Sequence, residues 1–366
     1  MKKIAIVISD ITKRAGTERA VTNLANLLSD SQQYEVSIIS IEKQNTTEAY
    51  ELSKNVNMIY FQQQYFSSKF HRILRHIKTF QILKKVITDY NFDVVIGTEY
   101  YINYLLAFLS KKVITIGCEH TNYDKPQFYH KLLRRVFYPK MKAIITLTNN
   151  DLLRYTFIKN KFCIHNSLSF IPKEFAKYEN KTFLACGRLN YQKGFDLLLK
   201  AATIIKSELP DWKINIYGDG EEYNNLLTII KNNNLEDYVN IYPPSSNIQS
   251  IYSNSSIYLL SSRFEGLPMV LIESQAAGLP AVCFDCKEGP SDVIIDGVNG
   301  SLVSTFNVQL FAEKAIVIAK NKQLFENMSI KAMELSSRFS QKKIFSNWDY
   351  TLSCIINNEG NAHEHK

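Results

Sequence analysis

Phe183-Leu184-Ala185-Cys186-Gly187-Arg188-Leu189-Asn190-Tyr191-Gln192-Lys193-Gly194-Phe195 reads as a strand, a loop and the start of a helix. The apolar run 183–187 suits a buried strand, and the pattern over Gly194–Ser207 suits a helix. A second strand is expected at Lys213–Gly218. Strand, crossover helix and strand together imply a parallel sheet with helices on its faces. In such sheets ligands bind outside the carboxyl ends of the strands. Arg188 and Lys193 fall there, where two cations can hold a diphosphate and stabilise it as it leaves.

The same alternation extends in both directions. Downstream it gives a helix at Glu221–Asn232, strands at Val239–Tyr242 and Ile257–Ser261, a helix at Pro268–Ala277 and a strand at Pro280–Phe284. Helical patterns return at 307–320, 323–337 and 341–357. Upstream, Lys3–Ile8 reads as a strand and Gly16 opens a helix with Ala20, Val21, Leu24, Leu27 and Leu28 on one face. Strands follow at Tyr34–Ile41, Asn57–Phe61, Asp93–Gly97, Val113–Cys118 and Ala143–Thr148, with a long amphipathic helix over 69–90. Leu168–Lys181 lacks periodicity and reads as a linker. The expected fold class is α/β, with two doubly wound, Rossmann-like parallel-sheet domains. Residues 1–170 form the first and 180–340 the second, and a helix over 341–358 is positioned to cross back to the first.

Composition bounds the class. With 366 residues, 45% hydrophobic and 21% charged, the chain can bury two cores. Six cysteines lie scattered, and Cys283-x-x-Cys286 has no second pair to complete a zinc site, so buried reduced thiols are expected. The apolar run after Met1-Lys2-Lys3 is too short for a signal peptide, and no run nears the roughly 20 residues of a membrane span. A cytoplasmic protein is expected, with any membrane contact peripheral on the inner face. Charge is uneven: residues 1–170 carry 24 Lys and Arg against 13 Asp and Glu, while the remainder is net negative. A basic first half points to a negatively charged partner.

Ser262-Arg263-Phe264-Glu265-Gly266-Leu267-Pro268-Met269-Val270-Leu271-Ile272-Glu273 is the richest stretch chemically. Pro268 suits a first helical turn, and the free amides around Gly266–Val270 make an anion site. Taken alone, Glu265 is an ordinary acid near a helix start and Glu273 an exposed helix residue. Ala15-Gly16-Thr17-Glu18-Arg19 is a third loop, in which Gly16 permits a phosphate to approach the backbone. Neither it nor Gly218-Asp219-Gly220 is a dinucleotide fingerprint.

These segments, in order and spacing, resemble the family-four retaining glycosyltransferases. The resemblance rests on Glu265-Gly266-Leu267-Pro268 with Glu273, Gly187-Arg188 to Lys193-Gly194, Tyr217-Gly218-Asp219-Gly220, the turn Asp296-Gly297-Val298-Asn299-Gly300, and in the first half Gly16-Thr17-Glu18-Arg19 and Glu119-His120. It implies the GT-B fold, two Rossmann-like domains with a cleft between them. It implies that Glu273 binds the donor ribose and Glu265 positions the transferred sugar. Arg188 and Lys193 would bind the diphosphate with backbone groups of Leu267, Met269 and Val270. Gly16 would admit the phosphates, Gly218 would lie near the base, and His120 would meet the donor sugar. One departure is His165-Asn166-Ser167, where relatives carry Asn-Pro or Asn-Gly.

The implied reaction retains configuration by a front-face route, in which the leaving phosphate takes the acceptor's proton. No Asp-x-Asp pair is present for a nucleotide-bound cation, so no metal and no cofactor are expected beyond the donor, a uridine diphosphate sugar or another nucleotide sugar. Two basic segments bear on the acceptor: Lys69, Arg72, Arg75, Lys78, Lys84 and Lys85 among Phe70, Ile73, Leu74, Ile77 and Phe80, and Lys131, Arg134, Arg135, Lys140 and Lys142 within Phe128–Lys142. Such segments can lie on an anionic membrane surface, or can be packed helices with a basic solvent face. With the resemblance they favour a saccharide on undecaprenyl diphosphate, in O-antigen or capsule assembly, with nucleic acid excluded as the partner. A sugar-nucleotide epimerase or a glycoside phosphorylase on this fold, and a non-catalytic basic binding module, stay open as alternatives.

Overall fold

The computed structural model describes residues 1–61, 69–120, 123–124, 127–245, 247–286 and 288–357, with only the backbone of 69–75. The side chains of Lys69, Phe70, Arg72, Ile73, Leu74 and Arg75, and the tail from residue 358, lie outside the described residues. The chain divides into two compact units, Met1–Ser167 with the segment from Gln341 onward, and Leu168–Ser340.

In the first unit, strands β1 (Lys2–Ile8), β2 (Tyr34–Ser40), β3 (Val56–Tyr60), β4 (Val94–Gly97), β5 (Ile114–Glu119), β6 (Ala143–Thr146) and β7 (Lys161–Cys163) form one parallel sheet, ordered β3-β2-β1-β4-β5-β6-β7. The run Ile4-Ala5-Ile6-Val7-Ile8 is wholly buried, as a parallel strand covered on both faces must be. Helices α1 (Gly16–Asp30), α2 (Lys69–Tyr90), α3 (Tyr100–Ala107), α4 (Phe128–Phe137) and α5 (Asn149–Arg154) supply crossovers. Two apolar clusters lie on this sheet. One gathers Ile4, Ile6, Leu24, Leu28 and Ile96; the other gathers Ala5, Val7, Leu83, Ile102 and Ile144. Alternate residues of β1 thus point to opposite clusters.

In the second unit, β8 (Thr182–Cys186), β9 (Lys213–Tyr217), β10 (Val239–Tyr242), β11 (Ile257–Leu260), β12 (Ala281–Asp285) and β13 (Gly300–Ser304) form a parallel sheet ordered β10-β9-β8-β11-β12-β13. Its helices are α6 (Phe195–Glu208), α7 (Tyr223–Asn232), α8 (Ile248–Ser253), α9 (Met269–Ala276), α10 (Pro290–Val293), α11 (Val308–Lys320) and α12 (Lys322–Ser336). Asn307 and Asn321 cap α11 and α12 by accepting from the amides of Leu310 and Leu324, each at 3.0 Å. Both units are Rossmann-like, and the second has the doubly wound strand order that reverses between β8 and β11.

Helix α13 (Gln341–Ile356) belongs to the first unit. Ile344, Trp348, Leu352 and Ile355, spaced as one helical face, enter the core beside Leu24 and Leu28. Tyr34 Oη donates to Asp349 at 2.6 Å. The segment read as a linker is packed instead: Leu168 is buried and its amide donates to the Phe339 carbonyl at 2.8 Å. The second unit's two ends therefore lie side by side. Among the described residues no helix is long and apolar enough to cross a membrane.

Candidate active site

The loops that follow β8 and β11 meet where the strand order of the second sheet reverses. In open α/β sheets ligands bind over the carboxyl ends of the strands at such a point, where the neighbouring crossovers run to opposite sides. Four contacts clasp the two loops. Arg263 forms a two-toothed ion pair with Asp196 at 2.8 and 2.7 Å. Its amide donates to the Gln192 carbonyl at 2.8 Å, and Ser261 Oγ donates to the Lys193 carbonyl at 3.0 Å. Gln192 Nε2 reaches the Phe264 carbonyl at 3.1 Å.

Within this frame Lys193 Nζ lies 2.7 Å from Glu265 Oε1, and Ser262 Oγ donates to the same oxygen at 2.6 Å. The stem of Lys193 lies against Gly187: a β-carbon there would be 2.9 Å from Lys193 Cε. A side chain at 187 would therefore force the Lys193 stem to shift. Arg188 is exposed and forms no ion pair with a described residue, so its charge is free to meet an anion. Its loop is braced by the Tyr217–Gly220 turn, through Leu189 N–H to the Asp219 carbonyl at 2.6 Å. Gly218 allows that brace, since a β-carbon would sit 1.9 Å from the Gly187 carbonyl oxygen. Internal packing is thus a sufficient reason for glycine at 218.

Helix α9 starts one residue later than the sequence suggests. Pro268 is its N-cap, and Met269 and Val270 are the first helical residues. No side chain caps this start, and the amides of Met269 and Val270 donate to no described backbone carbonyl. Such a start attracts negative charge. Leu267 lies just before it and is buried.

Glu273 is not the exposed helix residue that its isolated reading gives; it is fully buried. Ser169 Oγ donates to Oε1 at 2.5 Å and Tyr252 Oη to Oε2 at 3.1 Å. A buried carboxylate costs free energy unless hydrogen-bonded, so these donors make its burial possible. The Asp296–Gly300 turn supports α9 from below: Asn299 Nδ2 donates to Gln275 Oε1 at 2.6 Å and Oδ1 accepts from the Ile295 amide at 2.7 Å. Ser169 and Tyr252 were not singled out from sequence, since only the fold brings them to Glu273; Ser262 and Arg263 open the quoted motif, but their contacts to Glu265 and Asp196 could not be read from it. Burial pushes the Cys286 thiol up to about 12, and Glu265 adds to that, so this thiol is inert at neutral pH.

Two further candidates lie in the first unit. Gly16 opens α1, and a β-carbon added there would meet nothing within 4 Å. Internal packing therefore gives no reason for glycine at 16. His120 follows β5 and lines a crevice with room for about one water, together with Leu24, Cys118, Leu147, His165 and Trp348. Neither ring nitrogen has a hydrogen-bond partner among the described residues, and burial holds the ring pKa down at about 4. The imidazole is neutral at pH 7.

The basic segments need one correction. Arg134 has no exposed surface: it is inside the first unit, paired with Glu119 at 2.6 Å, and contributes nothing to a membrane-facing patch. Lys131 is paired with Asp124 at 2.5 Å. The outer side of α4 exposes Phe128, Tyr129, Leu132 and Val136, with Arg135 beside them. On α2, Lys78, Lys84 and Lys85 are exposed, while Leu83 and Ile87 are buried.

Comparison with known proteins adds the family. A profile of Glycosyl transferases group 1 matches residues 169–335, and one of Glycosyltransferase Family 4 matches 14–152. An uncharacterized glycosyltransferase of Haemophilus influenzae is 32% identical over 95% of this chain and 99% of its own length. The amylovoran biosynthesis glycosyltransferase AmsD of Erwinia amylovora is 31% identical over 96% and 100%. A Campylobacter jejuni protein named for transferring α-1,4-N-acetylgalactosamine to a diNAcBac-PP-undecaprenol-linked saccharide is 28% identical over 95% and 97%. Among solved structures, a Staphylococcus aureus TarM mutant in complex with fondaparinux, α-GlcNAc-glycerol and UDP aligns with TM-score 0.78, 17% identity and coverage of 96% and 99%.

Proposed function

The chain belongs to the family-four glycosyltransferases of the GT-B fold, and from that premise we propose that it moves a hexose or N-acetylhexosamine, with retention, from a uridine diphosphate sugar to a saccharide on undecaprenyl diphosphate. The observation that carries this reading is the Lys193–Glu265 pair beside the free Arg188 and the uncapped start of α9. Two cations and a helix start can take up the charge that grows on a departing diphosphate. Glu265, held by Lys193 and Ser262, orients the sugar without attacking it. Glu273 receives the ribose hydroxyls from a fixed position. No covalent intermediate is needed, because the departing phosphate accepts the acceptor's proton. From the first unit, Gly16 leaves space for a phosphate, and the neutral His120 meets the sugar without adding charge.

The names of AmsD and of the Campylobacter protein support polysaccharide assembly and a lipid-linked acceptor, and the UDP held by TarM supports a uridine donor. The exposed lysines of α2 and the apolar outer side of α4 with Arg135 support peripheral contact with an anionic membrane. Transfer is expected to continue in a chelator, since the named residues supply the positive charge.

The test is a donor screen by nucleotide release against a panel of lipid-linked acceptors. Acceptor-dependent release from a uridine diphosphate sugar, abolished in Glu273→Ala with the fold intact, is the expected result. Conversion of the sugar nucleotide without acceptor would establish an epimerase instead. Full transfer by the Glu273→Ala variant would refute the assignment of the donor site.

A further inference from the structure

Helix α4 carries a buried cation that the reaction above does not use. Arg134 Nη2 lies 2.6 Å from Glu119 Oε2, and Nη1 donates to the Tyr123 carbonyl at 2.8 Å. Glu119 directly precedes His120, and Tyr123 follows it closely in sequence. One guanidinium therefore grips the chain on both sides of His120. The other end of Glu119 is held as well: Tyr138 Oη and Asn103 Nδ2 donate to Oε1, the latter at 3.0 Å. Tyr123 is fixed a second time, through its amide to Asp151 Oδ1 at 3.0 Å, and its ring lies 5.1 Å from the guanidinium carbon.

Both members of the ion pair are essentially without solvent contact. Burial of two charges gains little net stability, and apolar replacement of such pairs is often neutral. What a buried, two-pronged guanidinium does provide is fixed geometry. We propose that Arg134 is a positioning residue for His120, setting where the imidazole stands by tying down the chain before and after it. This rests on the assignment of His120 to the donor sugar. A misplacement of about 1 Å costs on the order of 100-fold in turnover, which is the effect a loosened clamp should have.

The test compares Arg134→Met, Arg134→Lys, His120→Ala and the double variant Arg134→Met/His120→Ala. Turnover at saturating substrates, donor KM and hydrogen exchange at the Tyr123 amide are read for each. Arg134→Met should lose roughly 100-fold in turnover, with donor KM changed by no more than about threefold. Arg134→Lys, which reaches one partner at a time, should recover about tenfold of that. The double variant should be no slower than His120→Ala alone, because residues that act as a unit are non-additive. Exchange at the Tyr123 amide, which is bonded to Asp151, should quicken by about tenfold or more. Wild-type turnover in folded Arg134→Met, multiplied losses in the double variant, or unchanged exchange would each overturn the proposal. Should Arg134→Met fail to fold, Tyr138→Phe removes one bond to Glu119 and should give the same pattern at roughly tenfold; normal turnover and exchange there overturn it equally. Full activity in His120→Ala would remove the assignment of that residue to the donor, and the exchange measurement would then decide alone whether Arg134 fixes this stretch.

Discussion

Replacing Lys193 by methionine should separate stability from catalysis. The lysine side chain is 17% exposed and the Glu265 side chain 7%, with 2.7 Å between charges. Breaking a fully buried pair costs about 3–5 kcal/mol; the residual solvent contact here reduces that to about 2 kcal/mol. For a unit of this size each kcal/mol lowers Tm by about 2–4 °C, giving a fall of about 4–8 °C. The chain has two tryptophans, Trp212 in the second unit and Trp348 in the first, so a Trp348→Phe background makes fluorescence report on the second unit alone. Turnover, assayed by nucleotide release well below Tm, should fall roughly 100- to 1,000-fold, the loss typical of one group that stabilises developing charge. Adding Glu265→Gln should restore most of the Tm, since the amide still accepts from Ser262, while turnover stays low. The reasoning fails if Lys193→Met keeps turnover within about threefold of wild type, or if the second substitution returns no stability.

Three further outcomes are expected. Glu273→Gln should weaken UDP binding about tenfold or more by calorimetry, while Tyr252→Phe should mainly cost about 1 kcal/mol of stability, because it removes only one of the donors to Glu273. Gly16→Ala should be neutral to mildly stabilising, since its β-carbon meets nothing, yet should raise donor KM if a phosphate approaches that backbone; an unchanged KM in steady-state assays would remove Gly16 from the site. Burial raises the Asp151 carboxyl from 3.8 to about 6, against the Tyr123 amide that lowers it. The folded state then binds the extra proton between about pH 4 and 6, so this group's contribution to stability falls as pH rises through that window. Asp151→Asn, whose side-chain oxygen can still accept from Tyr123, should gain in Tm over wild type as pH rises from 4 to 6, by on the order of 2–3 kcal/mol in total; a pH-independent difference in thermal melts would count against it.

What could be read from sequence was local. The strand Ile4–Ile8, the loop Gly187–Gly194 and the helix after Pro268 are each defined by residues within a dozen positions of one another, and the structure places them at the expected sheet positions. Two short elements of the first unit escaped that reading: α5 and β7 span six and three residues, which leaves little periodic signal. The α3 helix, Tyr100–Ala107, is apolar nearly all round and so shows little periodicity. Arg134 illustrates the other limit. Along the chain it stands in a run of cations, and nothing in that run tells it from Arg135; its burial is decided by Glu119, fifteen residues earlier, and by the Tyr138 hydroxyl. Glu273 is similar, because the donors that permit its burial, Ser169 and Tyr252, come from segments distant in sequence.

The return of α13 to the first unit has a consequence during synthesis. Ile344, Trp348, Leu352 and Ile355 fill a core whose other members, from Ile4 to Ile164, leave the ribosome much earlier. At about 5–20 residues per second, that nascent core waits roughly 9 to 36 seconds with an unfilled apolar face. The intervening unit, whose ends Leu168 and Phe339 are joined by a hydrogen bond, can close upon itself meanwhile. The second unit is thus free to mature before the first, and a chaperone would find its binding site on the older half of the nascent chain.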